Sequence, residues 1–113
     1  MIKKNVVGII TKNKKILLQL RDNNKNIVFP NSWGFFGGSV NLNENHLNAI
    51  KRELFEELNI KNFKNLKFLN TYFSTKYKAI FFIYTLKLNE KVILNEGFDC
   101  DFFNENKILT GKK

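Results

Sequence analysis

The sequence predicts an α/β domain, and three observations carry that expectation. The chain has 113 residues, close to the commonest size of a single domain, so one hydrophobic core is expected over residues 1–113 and no second module. Several β-rich apolar runs punctuate it. Between them lies a single stretch in which apolar residues recur at three- and four-residue steps, the period of an amphipathic helix.

The runs Val6 to Ile10 and Ile16 to Leu20 predict two strands joined as a hairpin through Thr11 to Lys15, with Asn13 as the residue that takes a positive φ. Asp22 to Asn26 reads as a polar loop, and Pro30-Asn31-Ser32 closes a short extended piece around Ile27 to Phe29. Trp33-Gly34-Phe35-Phe36 leads into Gly37-Gly38, a glycine pair that signals tight backbone geometry or close approach of a ligand. From Asn45, a good N-cap, the stripe Leu47, Ile50, Leu54, Leu58 predicts a helix. It should stop at Asn59, because asparagine tolerates the left-handed conformation of a helix terminus. Strands are expected again over Phe68 to Ser74, Ala79 to Leu88 and Phe98 to Phe103, with turns at Thr75 to Lys78 and Asn89 to Gly97. The unbroken apolar run Ile80 to Tyr84 suggests a central strand covered on both faces. The helix covers one face, and Asn104 to Thr110 could only begin a second cover.

Composition excludes several classes. An apolar share of 43%, with 12 Phe, is too high for a disordered chain. The single cysteine, Cys100, forms no internal disulfide, which argues against small secreted scaffolds and for a reducing cytoplasm. No apolar run approaches the roughly 20 residues of a membrane span, and the first apolar stretch is interrupted too early to be a signal peptide. A formal charge of +9 favours polyanionic partners without choosing between nucleotides and nucleic acid.

On the expected helix, Glu53, Glu56 and Glu57 fall within one narrow arc beside the apolar stripe. Like charges so placed repel by roughly 0.2–0.5 kcal/mol per pair, and the C-terminal half of a helix disfavours anions further. Standing alone, such an arc reads as a solvated acidic face; in so basic a chain it also reads as a site for a hard divalent cation, which takes oxygen ligands.

The arc does not stand alone. From Gly38 to Ile60 the chain reads G-x5-E-x7-R-E-L-x-E-E-x-N-I, which resembles the box of the Nudix hydrolase family, G-x5-E-x7-R-E-U-x-E-E-x-G-U with U a bulky aliphatic residue. Ile16 to Arg21 resembles the family's second strand, Trp33 to Gly38 its lead-in to the box, and Glu96 to Asp99 with Phe102-Phe103 its closing strand. Asn59 replaces the terminal glycine of the box, and Asn41 and Asn43 stand where many members carry Glu and Gly.

The resemblance implies a mixed β-sheet with the box helix on one face, an α/β/α sandwich with a short or truncated C-terminal layer. It implies a cytoplasmic Mg²⁺- or Mn²⁺-dependent pyrophosphohydrolase of a nucleoside diphosphate linked to another moiety: a triphosphate, nucleotide sugar, ADP-ribose-like compound or dinucleotide. Glu53, Glu56, Glu57 and the Gly37 carbonyl would hold the metal, Arg52 would steer a carboxylate, and Glu53 would act as base with Glu96 as its rival. Arg21, Gly38, Glu44 and Glu96 would face the substrate, with Glu44 alternatively binding a further ion or pairing with Arg52. No membrane partner is expected, nucleic acid only as a capped or terminal-phosphate substrate, and a homodimer is one of the oligomeric states left open. Two other readings remain: a catalytically weak nucleotide-sensing module of the same fold, and a basic nucleic-acid-binding protein. His46 is expected to face solvent. Cys100, Trp33, Phe35 and Phe36 are expected in the core, and Arg21 is equally an exposed strand-end cation.

Overall fold

The computed structural model describes residues 2–20, 33–88 and 99–104. The expected loops at 22–26 and 89–97, the extended piece at 27–29, Arg21, Glu96 and the C-terminal segment beyond Asn104 lie outside the described residues.

Among the described residues seven strands form one sheet: β1 Lys3–Lys12, β2 Lys15–Leu20, β3 Trp33–Gly34, β4 Phe36–Ser39, β5 Leu66–Ser74, β6 Ala79–Lys87 and β7 Asp99–Asn104. The main order is β3-β2-β1-β6-β5, with β7 on β2 and β4 on β1. The β1–β6 pair is parallel and the others are antiparallel, so the sheet is mixed as the resemblance implies.

Strand β1 organises the whole. Along one edge it pairs with β6 from Lys3 to Thr11; along the other it is shared, Asn5 to Gly8 bonding β4 and Ile10 to Lys12 bonding β2. The hairpin to β2 turns at Asn13 (φ 52°) and Lys14 (φ 63°), the two positive φ values of a type I′ loop.

The single described helix, α1 His46–Leu58, packs on the sheet through Ala49, Ile50, Leu54 and Leu58. These meet Val6, Ile10, Tyr84 and Leu86, which alternate with outward residues along β1 and β6. Burying each large aliphatic side chain contributes roughly 1.5–3 kcal/mol. Close packing is possible because Gly8 has no side chain: a Cβ there would lie 3.3 Å from both Ile50 Cδ1 and Leu54 Cδ2.

Both helix ends follow the sequence expectation. The Asn45 side chain accepts the Asn48 N–H at 2.8 Å. Asn59 is left-handed (φ 57°, ψ 30°), and its N–H donates to Phe55 O at 2.9 Å.

Two expectations need correction. Leu47 keeps 41% of its surface exposed, whereas His46, expected in solvent, is half-buried and makes the contact with the sheet at this end of α1. Its ring stacks on Phe82 at 4.1 Å and its Nδ1 lies 2.6 Å from the Tyr84 hydroxyl. The periodicity marked the inward side of the helix correctly, but at the first turn an aromatic wall on β6 selects a flat ring over an aliphatic chain. The other face of β6 carries Phe81 and Ile83, both half-buried. Among the described residues no helix is long and apolar enough to cross a membrane.

Candidate active site

Strand β4, the loop from Val40 to Asn45 and helix α1 bring the box residues together. Gly37 has a φ of 147°, and a Cβ on it would run into the backbone carbonyl of Val6 on the paired strand. Gly38 is glycine for a different reason, since a Cβ there would sit 2.5 Å from Glu53 Oε1. The carboxylate of Glu53 lies in the space that the missing side chain leaves.

The loop is held at several points. Val40 N–H donates to Lys4 O at 2.9 Å, and Glu44 N–H donates to Asn41 O at 3.1 Å. Asn41 N–H donates to Glu44 Oε1 at 3.0 Å. Asn43, where many family members carry glycine, has a φ of 66°, a conformation asparagine accepts more readily than other residues with a Cβ.

Arg52 is the hub. Its Nε donates to Glu44 Oε2 at 2.9 Å, and Nη2 donates to Glu44 Oε1 at 3.0 Å and to Ser39 O at 2.9 Å. Nη1 donates to Glu53 Oε1 at 2.9 Å and to Glu56 Oε1 at 3.1 Å. A guanidinium carries five N–H groups in a rigid fork, and these five bonds use them all. Glu57 Oε1 accepts the Gly37 N–H at 3.1 Å, so all three carboxylates of the arc reach the glycine strand or the arginine that clamps it.

The electrostatics follow from this geometry. The Arg52 hydrogen bonds, reinforced by the Asn41 N–H, hold the Glu44 carboxyl below the usual carboxylate range. Arg52 is itself held above its ordinary value, first by Glu44. Glu53 is displaced upward: burial outweighs the opposing effect of Arg52, and the charges of Glu56 and Glu44 add to the rise. Glu53 is thus a half-buried carboxylate with a raised proton affinity.

The structure thus gathers Arg52, Glu53, Glu56, Glu57, Glu44, Gly37 and Gly38; Arg21 and Glu96 lie outside the described residues. Sequence reasoning missed the Ser39 carbonyl and the Asn41 N–H, because backbone groups leave no mark in residue identity. Among the described residues no three His, Cys, Asp or Glu side chains converge as a preformed metal cage. The donor set nevertheless fits a hard cation chemically, being all carboxylate and carbonyl oxygen, and Mg²⁺ needs only one or two protein carboxylates, with water and phosphate completing its shell.

Residues 1–110 match the NUDIX domain, and the chain belongs to the Nudix family, hydrolases of phosphoric anhydride bonds. A relative 35% identical over 109 residues, covering 88% of this chain and 81% of its own, is the 8-oxo-dGTP diphosphatase of Buchnera aphidicola subsp. Schizaphis graminum. Among solved structures, a Deinococcus radiodurans protein superposes with a TM-score of 0.82 at 22% identity, over 96% of this chain and 71% of that one. A Francisella tularensis bifunctional NMN adenylyltransferase/ADP ribose pyrophosphatase, complexed with AMP and a Mn ion, gives 0.76 at 19% identity, over 98% of this chain and 36% of that one. At such identities the two structures speak for the fold.

Proposed function

We propose that this chain hydrolyses the anhydride of a nucleoside diphosphate linked to another moiety, using Mg²⁺ or Mn²⁺, and that nucleoside triphosphates are its leading substrates. The Arg52 network carries the reading. It spends every donor of one guanidinium to hold Glu44, Glu53 and Glu56 against the Ser39 end of the glycine strand. The activity of the Buchnera relative supports a triphosphate.

Glu53, Glu56, Glu57 and the Gly37 carbonyl would hold the cation, which when bound neutralises phosphate charge and acidifies water. Arg52 orients Glu53 and Glu56, and Glu44 fixes Arg52 from the other side. As water attacks phosphorus, one P–O bond forms, the anhydride P–O bond breaks, and a proton leaves the water. Glu53, held by the Arg52 Nη1 hydrogen bond, is the proposed acceptor of that proton. Glu96 is the alternative base.

The test is a panel of nucleoside triphosphates, nucleotide sugars, ADP-ribose, dinucleoside polyphosphates and capped RNA, assayed with Mg²⁺ and with Mn²⁺ for released products. Turnover of at least one member, abolished by EDTA, is expected. A folded protein inert on all of them but still binding nucleotides would point to the sensing module instead. Binding to oligonucleotides that needs no metal and falls steeply with salt would point to a nucleic-acid protein.

A further inference from the structure

The glycine strand β4 is bound on the side that faces away from β1. Val40 N–H donates to Lys4 O, and because hydrogen-bonded and free pairs alternate along an antiparallel ladder, Gly38 and Phe36 address β1 as Val40 does, while Ser39, Gly37 and Phe35 turn their backbone groups away. Each of these three is met by a side chain. Arg52 Nη2 donates to Ser39 O at 2.9 Å, Glu57 Oε1 accepts the Gly37 N–H at 3.1 Å, and Gln19 Nε2 donates to Phe35 O at 3.2 Å. Arg52 and Glu57 belong to the box. Gln19 stands on β2 and has no part in the reading above.

Gln19 is the only glutamine of the chain and keeps just 5% of its surface exposed. Its backbone pairs with Gly34 of β3. Phe35, the single residue between β3 and β4, is where the chain leaves the edge of β2 for that of β1, so it has no register partner on either strand. A backbone carbonyl at such a crossing needs a donor from elsewhere, and since a carbonyl only accepts, the carboxamide presents its NH2 to it. An apolar side chain would fill the same space without holding the crossing.

We propose that Gln19 is a positioning residue of the hydrolase site: by holding the Phe35 carbonyl it fixes the point at which β4 begins, and with it the Gly37 carbonyl two residues on, which shares the free side of the strand with the Gly37 N–H and would hold the cation. The proposal rests on the hydrolase reading and goes beyond it, to a residue outside the box. Arg52 and Glu57 tie the glycine strand to α1, and the ladder ties it to β1; Gln19 adds a tie to β2 at the end where the ladder to β1 has run out. The ligand oxygen is then set by three elements instead of two. That matters for a cation such as Mg²⁺, which demands near-ideal octahedral geometry and tolerates little displacement of an oxygen.

Three variants test it: Gln19→Met, which keeps the volume and removes the donor; Gln19→Glu, which keeps the shape and offers an acceptor in place of the NH2; and Leu17→Val, a loss of buried packing two residues back on the same strand. In EDTA, amide hydrogen exchange at Gly37, measured against Ile10 on β1, should be about tenfold faster in both Gln19 variants, the change expected for one lost hydrogen bond, and unchanged in Leu17→Val. Mn²⁺ affinity, titrated calorimetrically without nucleotide, should fall by a similar factor in the same two proteins only. In turnover at saturating Mn²⁺, kcat should fall more than KM rises. Isotope labelling of the single glutamine gives a further reading that needs no variant: in the wild type its side-chain NH2 protons should exchange slowly with solvent. Fast exchange of that NH2, unchanged Mn²⁺ affinity in Gln19→Met, or an equal loss in Leu17→Val would overturn the proposal. Exchange and Mn²⁺ binding use no substrate, so a wild type inert on every nucleotide would refute the hydrolase reading and leave the tie between Gln19 and Phe35 separately measured.

Discussion

Glu44 and Glu53 hold the same arginine, yet their proton affinities move in opposite directions, and the difference sets how each acts on stability. Glu44 is depressed below the ordinary 4.5, so it stabilises the fold above that pH and loses its contribution as pH falls through its folded value. Glu53 is raised above 4.5, so its ionised form costs stability at neutral pH, and the cost fades as acidification protonates it in the native state. Glu53→Gln should therefore raise Tm in EDTA, most at neutral pH and less toward 4.5, while lowering kcat by at least about 100-fold, the usual minimum for removing a general base. Leu54→Ala, one residue away, should cost roughly 2–5 kcal/mol and lower activity by unfolding. Thermal melts in EDTA beside turnover assays separate the two, and a fully active Glu53→Gln would refute its assignment. Much at this scale was legible: spacing alone put Glu53, Glu56 and Glu57 on one arc. The pairing of Arg52 with Glu44 was among the readings the box allowed, whereas its bond to the Ser39 carbonyl was not, because a backbone acceptor at the end of β4 leaves no mark in residue identity.

Adjacent glycines on β4 answer to different constraints, one backbone and one side-chain. At Gly37 a new Cβ meets a strand carbonyl that cannot withdraw without breaking the β1 pairing; at Gly38 it meets only the far end of Glu53, which can rotate away. Gly38→Ala should thus melt close to wild type and still lose most of its turnover, whereas Gly37→Ala should be destabilised outright. Circular dichroism melts with product assays check this, and an active Gly38→Ala would show that the position of Glu53 is unimportant. The elements best read from sequence were those with local signals: the turn at Asn13, the cap at Asn45, the left-handed Asn59. Strands β3 and β4 were not legible, since two- and four-residue segments carry no alternation and exist only because β2 and β1 offer them an edge. His46 escaped for a related reason: its neighbours Phe82 and Tyr84 are 36 and 38 residues distant in the chain.

For the molecule as a whole, a cation bound only by the folded state adds stability by mass action, roughly 2.7 kcal/mol at 100 times its Kd. Mg²⁺ should raise the wild-type Tm and do so far less in Glu57→Gln; equal shifts would mean that the ions bind elsewhere. The mixed sheet under one helix was legible through the box and its flanking runs, while the expected second layer falls outside the described residues. The shared edge of β1 has a further consequence, for synthesis. β1 leaves the ribosome before its parallel partner β6, which follows some 75 residues later, a delay of about 4–15 s at ordinary elongation rates. Until then an apolar strand has one unpaired edge, able to recruit a neighbouring nascent chain. Lys3, Lys4 and Lys12 bracket Val6 to Ile10 with positive charge, and in that interval they act as gatekeepers whose repulsion keeps two such edges apart.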